Sequence, residues 1–444
     1  MSNCRFASTF KTLEHWLKHQ LHAQEHFTLW YAAEDSQFVR FNHGKVRQAY
    51  PVLQIELTVR LILGERHASA RINLSGEFEQ DTLQLGQTLA QLRGVLDVLP
   101  ADPYLLLNTQ VWASERQVPG RVPELQQVID SICGLSQGLD MVGIYAAGTL
   151  YRGFANSWGA SGWHECANAL FDWSLFDASG EAVKSTYGSA DWDAQVLSDL
   201  FVKAREQLHH LSTPRISLKP GQYRAYLAPA ALDEVLSMLS YDAFSAKTLA
   251  NRQSALQQLQ LGKQQLSPLV NLREQPSSGF EPGFGHDGAP RQDVDLIQAG
   301  QLVGQLVSSR SAAEYGLQAN GADQQEIPHT LVMAPGELAT ADVLRELGTG
   351  LYISNLWYLN YSDVGSARLT GMTRFATFWV ENGQIVAPIE TMRFDDSVYD
   401  MLGTHLLALT REQTLCIDTR TYERRYLDSH VLPGALLEHL TLTL

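Results

Sequence analysis

A strict alternation of apolar and polar residues between Leu53 and Leu61 constrains the fold of this chain more than any other feature. Positions 53, 55, 57, 59 and 61 carry leucine, isoleucine or valine, whereas the positions between them carry Gln, Glu, Thr and Arg. A period of two with one apolar face is typical of a half-buried strand in an antiparallel sheet. The sequence therefore predicts an antiparallel sheet in the N-terminal part of the chain.

Helical periodicity flanks this strand on both sides. Apolar residues recur every three or four positions in residues 8–26, 81–100 and 191–211, and Asp81 is expected to cap the second of these helices. The combination predicts an α+β fold in which N-terminal helices pack on an antiparallel sheet.

The length of 444 residues exceeds one ordinary core and indicates two domains. A boundary at residues 214–221 predicts an N-terminal α+β domain over 1–214 and a C-terminal β-rich domain with flanking helices over 220–444. In the second domain we expect a helix or helix pair in 229–261, a helix in 397–409, and a final β-rich edge over 431–444.

The stretch 348–402 contains three strand-like runs, at 351–359, 375–381 and 385–389. Asn382 and Gly383 join the last two runs, and an Asn-Gly pair between β-rich runs is a strong hairpin signal. Residues 361–374 between the first two runs are polar and contain glycine, which predicts a long loop of the kind that is often functional.

Charge, hydrophobic runs and cysteine spacing disfavour several classes of function. The net charge of −15 opposes direct binding to nucleic acid, which requires a basic surface. The sequence has no run of about 18 apolar residues that would predict a membrane span. The first residues lack the apolar core of a secretory signal. The four cysteines are scattered and form no CxxC pair, which fits a reducing compartment. We therefore expect a cytoplasmic protein without a membrane partner.

One string in the sequence suggests a metal site. Residues 22–26 spell H-x-x-E-H, so that His22 and His26 could share a zinc ion on a helix while Glu25 activates a water molecule. The string lies where the first predicted helix ends, and a third ligand is missing. A solvated histidine face is therefore the simpler interpretation, and the metal site is the alternative.

Two glycine motifs are better interpreted as loops. Gly134 to Gly138 fit G-x-S-x-G around Ser136, but a helix precedes the serine where a nucleophile elbow requires a strand. Gly283 to Gly288 spell G-x-G-x-x-G, but Pro, Ser and Gly surround this motif in place of a strand and a helix.

Several short motifs occur in a fixed order along the chain. They cover residues 38–42, 143–148, 152–157, 356–358, 370–374, 380–383 and 392–394 with Ser397. This series resembles the TldD/PmbA family, whose members were called modulators of DNA gyrase and are associated with zinc-dependent peptide processing.

The resemblance implies a zinc site that this sequence does not complete. The catalytic subunit of the family carries an H-E-x-x-x-H helix in its C-terminal domain, and a cysteine further along adds a ligand. The corresponding region here, 229–261, contains Asp233 and Glu234 but no histidine. No ligand role is carried over to Cys416. The chain therefore resembles the PmbA/TldE members, and we expect no catalytic residue and no cofactor in this chain, with zinc in a partner subunit.

The resemblance also implies partners and a peptide site. A metal-free subunit of this family pairs with a catalytic, TldD-like zinc subunit, or with itself as a dimer, around a cavity that admits unfolded peptide. The candidate peptide-binding residues are Thr373, Arg374, Asn382, Gly383 and Arg393. The alternative for Arg374 and Arg393 is that they pair with Asp363, Asp395 or Asp396 and only fix loops.

Three functions remain open at this stage. The first is the noncatalytic subunit of a zinc metallopeptidase complex that acts in proteolysis or peptide maturation. The second is an autonomous metallohydrolase that uses His22, Glu25 and His26. The third is a gyrase-related protein-interaction module.

Overall fold

The computed structural model describes residues 3–443, with side chains from Arg5 onward, and contains two β-sheets with helices packed against them. Residues 1, 2 and 444 of the two predicted domains lie outside the described part. This architecture confirms the α+β prediction. None of the described helices is long and apolar enough to cross a membrane.

The first sheet has seven strands in the order β3-β2-β1-β5-β6-β4, with β7 paired to β6. Its strands are β1 (Glu25–Asn42), β2 (Lys45–Leu63), β3 (Arg66–Asn73), β4 (Ala113–Val118), β5 (Asp140–Asn156), β6 (Ser161–Phe176) and β7 (Ala182–Ser189). All pairs are antiparallel except β4 with β6. The accompanying helices are α1 (Asn3–Gln20), α2 (Phe78–Leu96), α3 (Leu125–Leu135) and α4 (Ala194–Leu211).

The alternating residues of β2 form a core with α1 and α2, as the pattern predicts. Ile55, Leu57, Val59 and Leu61 are buried, whereas Leu53 at the start of the pattern is 56% exposed.

Two details of the helices in this part of the chain differ from the prediction. Helix α1 ends at Gln20 rather than near 26, because Gln24 has a left-handed φ of 69° that begins the turn into β1.

The second detail concerns Asp81, which does not occupy the N-cap position of α2. The N-cap residue is Glu77, and Asp81 lies inside the first turn. Its buried carboxylate accepts hydrogen bonds from the Ser75 and Gly76 backbone nitrogens at 2.7 and 3.0 Å. Asp81 therefore fixes the loop that leads into the helix.

The second sheet has eleven strands in the order β11-β10-β9-β12-β18-β16-β14-β13-β8, with β15 on β14 and β17 on β18. Its strands are β8 (Gly221–Leu227), β9 (Leu272–Glu274), β10 (Val294–Gln298), β11 (Gln301–Leu302), β12 (Thr330–Met333), β13 (Gly350–Asp363), β14 (Arg368–Glu381), β15 (Gln384–Pro388), β16 (Arg393–Ser397), β17 (Leu406–Ile417) and β18 (Ser429–Leu442). Its helices are α5 (Pro229–Ser240), α6 (Ala246–Ala250), α7 (Gln257–Gln260), α8 (Ser309–Tyr315) and α9 (Val343–Leu347).

Strand β18 is central in this sheet, so the prediction of a final edge over 431–444 is wrong. It pairs with β8, β12, β16 and β17. Because β8 also pairs with β13, the pairings of β18, β16, β14, β13 and β8 form a closed circuit. The predicted helix at 397–409 is also wrong, since a short π-helical turn (Asp400–Thr404) leads directly into β17.

The predicted loop at 361–374 is instead the tip of a long antiparallel hairpin. Strands β13 and β14 pair out to Asp363 and Arg368. Along β14, Leu369, Gly371 and Thr373 point inward and are buried. Two of these inward positions hold glycine and threonine, so the alternating apolar signal of a strand is missing from the sequence.

The two sheets share buried contacts. One apolar cluster combines Phe171, Trp173 and Phe201 of the first part with Ala376 and Phe378 of β14. The segment that joins β17 to β18 also reaches the first sheet, where the buried Arg425 donates hydrogen bonds to Ser36 and Asn168.

Candidate functional site

Helix α5 occupies the region where the resemblance implies a metal-binding helix. Leu232, Val235, Leu236 and Leu239 are fully buried and pack the helix on β13 and β18. The next residue along the helix from Leu232, Asp233, points away from that core. Its Oδ1 lies 2.6 Å from Nδ1 of His430 on β18.

Asp233 and His430 form an ion pair. Burial alone would lower the pKa of His430, but the hydrogen bond and the charge of Asp233 outweigh it and raise that pKa. Nδ1 of His430 is therefore engaged by Asp233, and the raised pKa favours the protonated imidazole over the neutral form that binds metals.

The donors around α5 do not fit a zinc site built on two imidazoles from one helix. Helix α5 carries Asp233 and Glu234. Met238 stands four positions after Glu234, where the H-E-x-x-x-H motif has its second histidine. Cys416 lies opposite His430 in the β17–β18 register, but burial and then the charge of Asp233 raise the pKa of its thiol well above the usual value. In the described part of the chain, potential ligands converge within 4.8 Å at two other places.

The first of these places is a charged cluster around His329. Its Nδ1 is 2.5 Å from Oδ1 of Asp428, and its Nε2 is 2.9 Å from Oδ2 of Asp323. Burial would lower the pKa of His329, but the two carboxylates raise it well above its ordinary value. The same pairing lowers the pKa of both aspartates against the opposing effect of burial.

Glu281 completes this cluster. Burial first, and the charge of Asp428 second, raise the pKa of Glu281 and favour its neutral form. Both nitrogens of His329 are engaged with carboxylates, so the cluster is a satisfied ionic network. The second convergence, of His405, Glu438 and His439, lies at the start of β17.

The predicted peptide-binding residues lie in two groups along β14 and its neighbours. Thr373 is buried at 1% exposure, and its Oγ1 accepts a hydrogen bond from the Met392 nitrogen at 3.0 Å. Thr373 therefore joins two segments of the sheet. Arg374 is exposed, and its guanidinium lies 4.4 Å from the ring centroid of Trp357, a cation–π contact.

Arg393 is also exposed, and its Nε donates to Oγ1 of Thr370 at 2.7 Å. Its guanidinium lies 3.8 Å from a carboxylate oxygen of Asp395, which makes a weak ion pair with an exposed arginine. Asp395 instead bonds closely with Arg368, at 2.5 Å. Arg393 thus makes one weak contact with an aspartate, as the alternative interpretation expects. Arg374 stacks on an aromatic ring instead.

Asn382 and Gly383 form the predicted hairpin turn between β14 and β15. Their φ angles are 49° and 77°, as a type I′ turn requires. The Gly383 nitrogen donates to the Gly348 carbonyl at 2.8 Å, and the Asn382 nitrogen donates to Thr349 at 3.3 Å. The turn is thereby tied to the residues that precede β13.

His22, Glu25 and His26 do not form a helical metal site. Both carboxylate oxygens of Glu25 accept hydrogen bonds from Arg93 at 2.8 Å, and His26 stacks on Trp158 with ring centroids 4.6 Å apart. The structure places His22 beyond the end of α1 and His26 on β1. Nδ1 of His22 lies 3.6 Å from Oε1 of Glu25, but the Glu25 carboxylate is engaged by Arg93 and the His26 ring by Trp158.

An exposed aromatic bend in the β13–β14 hairpin was missed by sequence reasoning as a site. Trp357 and Tyr358 are 43% and 76% exposed, and Tyr358 and Phe375 have φ angles of 57° and 63°. A left-handed φ is costly for a bulky residue and is often found at functional sites. The sequence signal for this site is the pair of adjacent aromatic residues in the polar half of β13.

Comparison with known proteins agrees with this fold. The profile of the family described as PmbA/TldA metallopeptidase C-terminal domain matches residues 220–443. A metalloprotease PmbA from Escherichia coli O157:H7 is 31% identical over 144 residues, which cover 32% of this chain and 31% of the relative. A PmbA homolog from Haemophilus influenzae is 28% identical over 149 residues, or 33% and 32% of the two chains. The alignments thus span about a third of the length of these curated relatives.

Solved structures match over nearly the whole chain. TldE from Thermococcus kodakarensis has a TM-score of 0.76 at 14% identity and covers 98% of this chain and 100% of its own. A proposed modulator of DNA gyrase from Thermotoga maritima has a TM-score of 0.75 at 14% identity, with 99% and 100% covered. At this identity the likeness establishes the fold alone.

The fold and the family profile define the class, a metallopeptidase-related protein with two sheets flanked by helices. Within that class, the chain belongs to the TldD/PmbA family.

Proposed function

We propose that this chain is the PmbA/TldE-like subunit that binds no catalytic metal in a TldD/PmbA-type zinc metallopeptidase complex. In this proposal it shapes the cavity in which an unfolded peptide binds, and a zinc-bearing subunit performs the cleavage. The observation that carries the proposal is α5, where Asp233 is paired with His430 at 2.6 Å and the helix offers no imidazole.

The hairpin supplies a surface that suits an extended peptide. Strand β8 pairs with Leu351, Tyr352 and Ile353 of β13, and among residues 3–443 the rest of β13 pairs only with β14. A strand with one free edge can receive a peptide through main-chain hydrogen bonds. Trp357 and Tyr358 lie on this segment, and Arg374 lies over Trp357, so aromatic and cationic groups flank the edge.

The experiment compares the purified chain with its complex. A fluorescently labelled unfolded protein is incubated with this chain alone, with a zinc-bearing family subunit alone, and with both together. We expect cleavage only with both, and we expect chelation of zinc to abolish it. Cleavage by this chain alone that is lost in Glu234→Gln would contradict the proposal.

A second set of variants tests the role of the hairpin. We expect Trp357→Ala to raise the KM of the complex for the unfolded substrate while kcat changes less, because binding contacts are lost and the catalytic zinc is untouched. The matched control is Glu314→Gln on α8, an exposed side chain away from the hairpin. An unchanged KM in Trp357→Ala would remove this edge from the peptide site.

A further inference from the structure

Three potential metal ligands meet where β17 begins. The ligand atoms of His405, Glu438 and His439 all lie within 4.8 Å of one another. Nδ1 of His405 is 3.6 Å from Oε2 of Glu438, and the two imidazole rings are 4.8 Å apart at 65°. Two imidazoles and one carboxylate are a donor set that suits Zn²⁺ and its neighbours in the first transition row.

A β-bulge brings two consecutive residues to the same place. In a regular strand Glu438 and His439 would point to opposite faces. Against β8, Leu437 pairs with Ala225 and Leu440 pairs with Tyr223, so β18 has one extra residue between these pairs. Such an insertion redirects side chains, and bulges of this kind are frequent beside functional sites.

Main-chain hydrogen bonds hold His405 next to Glu438 and His439. The Glu438 nitrogen donates to the His405 carbonyl at 2.8 Å, and the His405 nitrogen donates to the Asp400 carbonyl at 2.8 Å. The relative positions of the three residues are therefore set by backbone hydrogen bonds, so ligand binding would require only small movements of side chains.

One ligand atom is buried without a partner among the residues that the structure describes. Nδ1 of His405 is shielded from solvent and makes no hydrogen bond to any of them. Its 3.6 Å separation from Glu438 is too long for one. A buried polar atom without a partner is costly and calls for an explanation, and an ion coordinated by this nitrogen provides one.

We propose that His405, Glu438 and His439 bind one divalent transition-metal ion, with water at the remaining positions. With metal–nitrogen distances near 2.1 Å, ligands of one ion are at most about 4.2 Å apart, so the side chains must draw in slightly. Glu438 is half exposed and can make this movement. The ion would link the start of β17 to the bulge of β18 and has no catalytic role in the proposal, which does not depend on the proposed function.

Other histidines compete less well for such an ion. Both nitrogens of His329 are engaged with aspartates, and Nδ1 of His430 is engaged with Asp233. His15 and His19 are exposed and one turn apart on α1, with rings 4.5 Å apart, and they represent a surface pair that could take up metal adventitiously.

The test is titration of the chelator-stripped full chain with Co²⁺, followed by its visible absorbance, and with Zn²⁺ in competition. We expect one equivalent to bind. Loss of an outer-shell partner weakens metal binding by roughly 10- to 100-fold, and loss of a direct ligand should cost at least as much. We therefore expect Glu438→Gln and His439→Gln each to weaken binding by at least this factor. The control, His15→Ala with His19→Ala, should bind as the unsubstituted chain does.

Several results would overturn the proposal. They are the absence of stoichiometric binding, binding that persists unchanged in His439→Gln, and binding that is lost in the α1 control. Thermal unfolding with and without Zn²⁺ checks each variant, because a bound ion raises the Tm of the unsubstituted chain and should raise that of His439→Gln less. Glu438→Gln changes an exposed side chain, so its folding is not at issue.

Discussion

At the scale of single residues, several charged groups in and around the second sheet contact groups of opposite charge. His329 lies between Asp323 and Asp428, His430 pairs with Asp233, and Arg291 pairs with the buried Glu274 at 2.6 Å. None of these pairings could be predicted from the sequence. His329 and Asp428 are 99 residues apart, and no local pattern specifies which of the 14 histidines meets which carboxylate.

The His329 cluster predicts a specific dependence of stability on pH. The folded-state pKa of His329 is raised above its unfolded value, so its contribution is fully present below about pH 6.5 and is lost as pH rises through the folded pKa. The pKa values of Asp323 and Asp428 are lowered, so their contribution is lost as pH falls below about 4.

We expect His329→Gln to destabilise the folded state by about 3–5 kcal/mol near pH 6, because two half-buried carboxylates lose their counter-charge. The deficit should shrink as pH rises toward the folded pKa. Chemical denaturation of both proteins between pH 5.5 and 9.5 measures it, with the exposed His15→Gln as control. A deficit that stays constant with pH would show that His329 is not held as an imidazolium.

At the scale of elements, the β13–β14–β15 unit shows what sequence can and cannot specify. The Asn382-Gly383 turn is confirmed, because only residues that tolerate left-handed φ form a two-residue turn of this type. The outer half of the hairpin, for which the sequence predicts a loop, is a pair of strands. Its inward residues include Gly371, whose role depends on the ring of Phe394 on β16 and cannot be recognised from neighbours in sequence.

At Gly371 the packing of the hairpin leaves no room for a side chain. A Cβ at Gly371 would lie 2.7 Å from Cε1 of the buried Phe394 and 3.0 Å from Leu359. We expect Gly371→Ala to destabilise the protein by about 1–3 kcal/mol through overpacking. Denaturant unfolding measures this.

The turn of the same hairpin offers a matched control. Gly365 has no positive φ, and a Cβ there would meet only Asp363 Oδ1, at 3.5 Å. Gly365→Ala should therefore leave the unfolding midpoint close to that of the unsubstituted chain. Equal losses in the two variants would mean that glycine is required by the hairpin backbone and not by Phe394.

At the scale of the whole molecule, the sequence predicted the α+β class and the presence of a first antiparallel sheet. The contacts between the sheets were not predictable. The apolar cluster joins residues that are far apart in the sequence, and the hydrogen bonds come from a segment that has no regular periodicity. That segment, between β17 and β18, carries Arg424 and Arg425 to the first sheet, where Arg424 pairs with Glu56 at 3.0 Å. The boundary predicted at residues 214–221 stays a prediction.

Arg425 is the more buried of the two and should matter more for stability. Its backbone nitrogen donates to Glu34 at 3.1 Å, and its guanidinium donates to Ser36 and to Asn168. We expect Arg425→Met to cost about 1.5–3 kcal/mol, the range for hydrogen bonds that involve a charged group. The measurement is denaturant unfolding by tryptophan fluorescence, with the exposed Arg47→Met as control. A loss no larger than that of the control would mean that the guanidinium does not hold the two sheets together.

The central position of β18 has a consequence for how the protein is made. Residues 429–442 leave the ribosome after β8, β12, β16 and β17, yet all four of these strands pair with them. The second sheet can therefore close only once synthesis has passed these residues. Until that moment the strand edges that face β18 stay unpaired, and unpaired edges of this kind can associate with wrong partners.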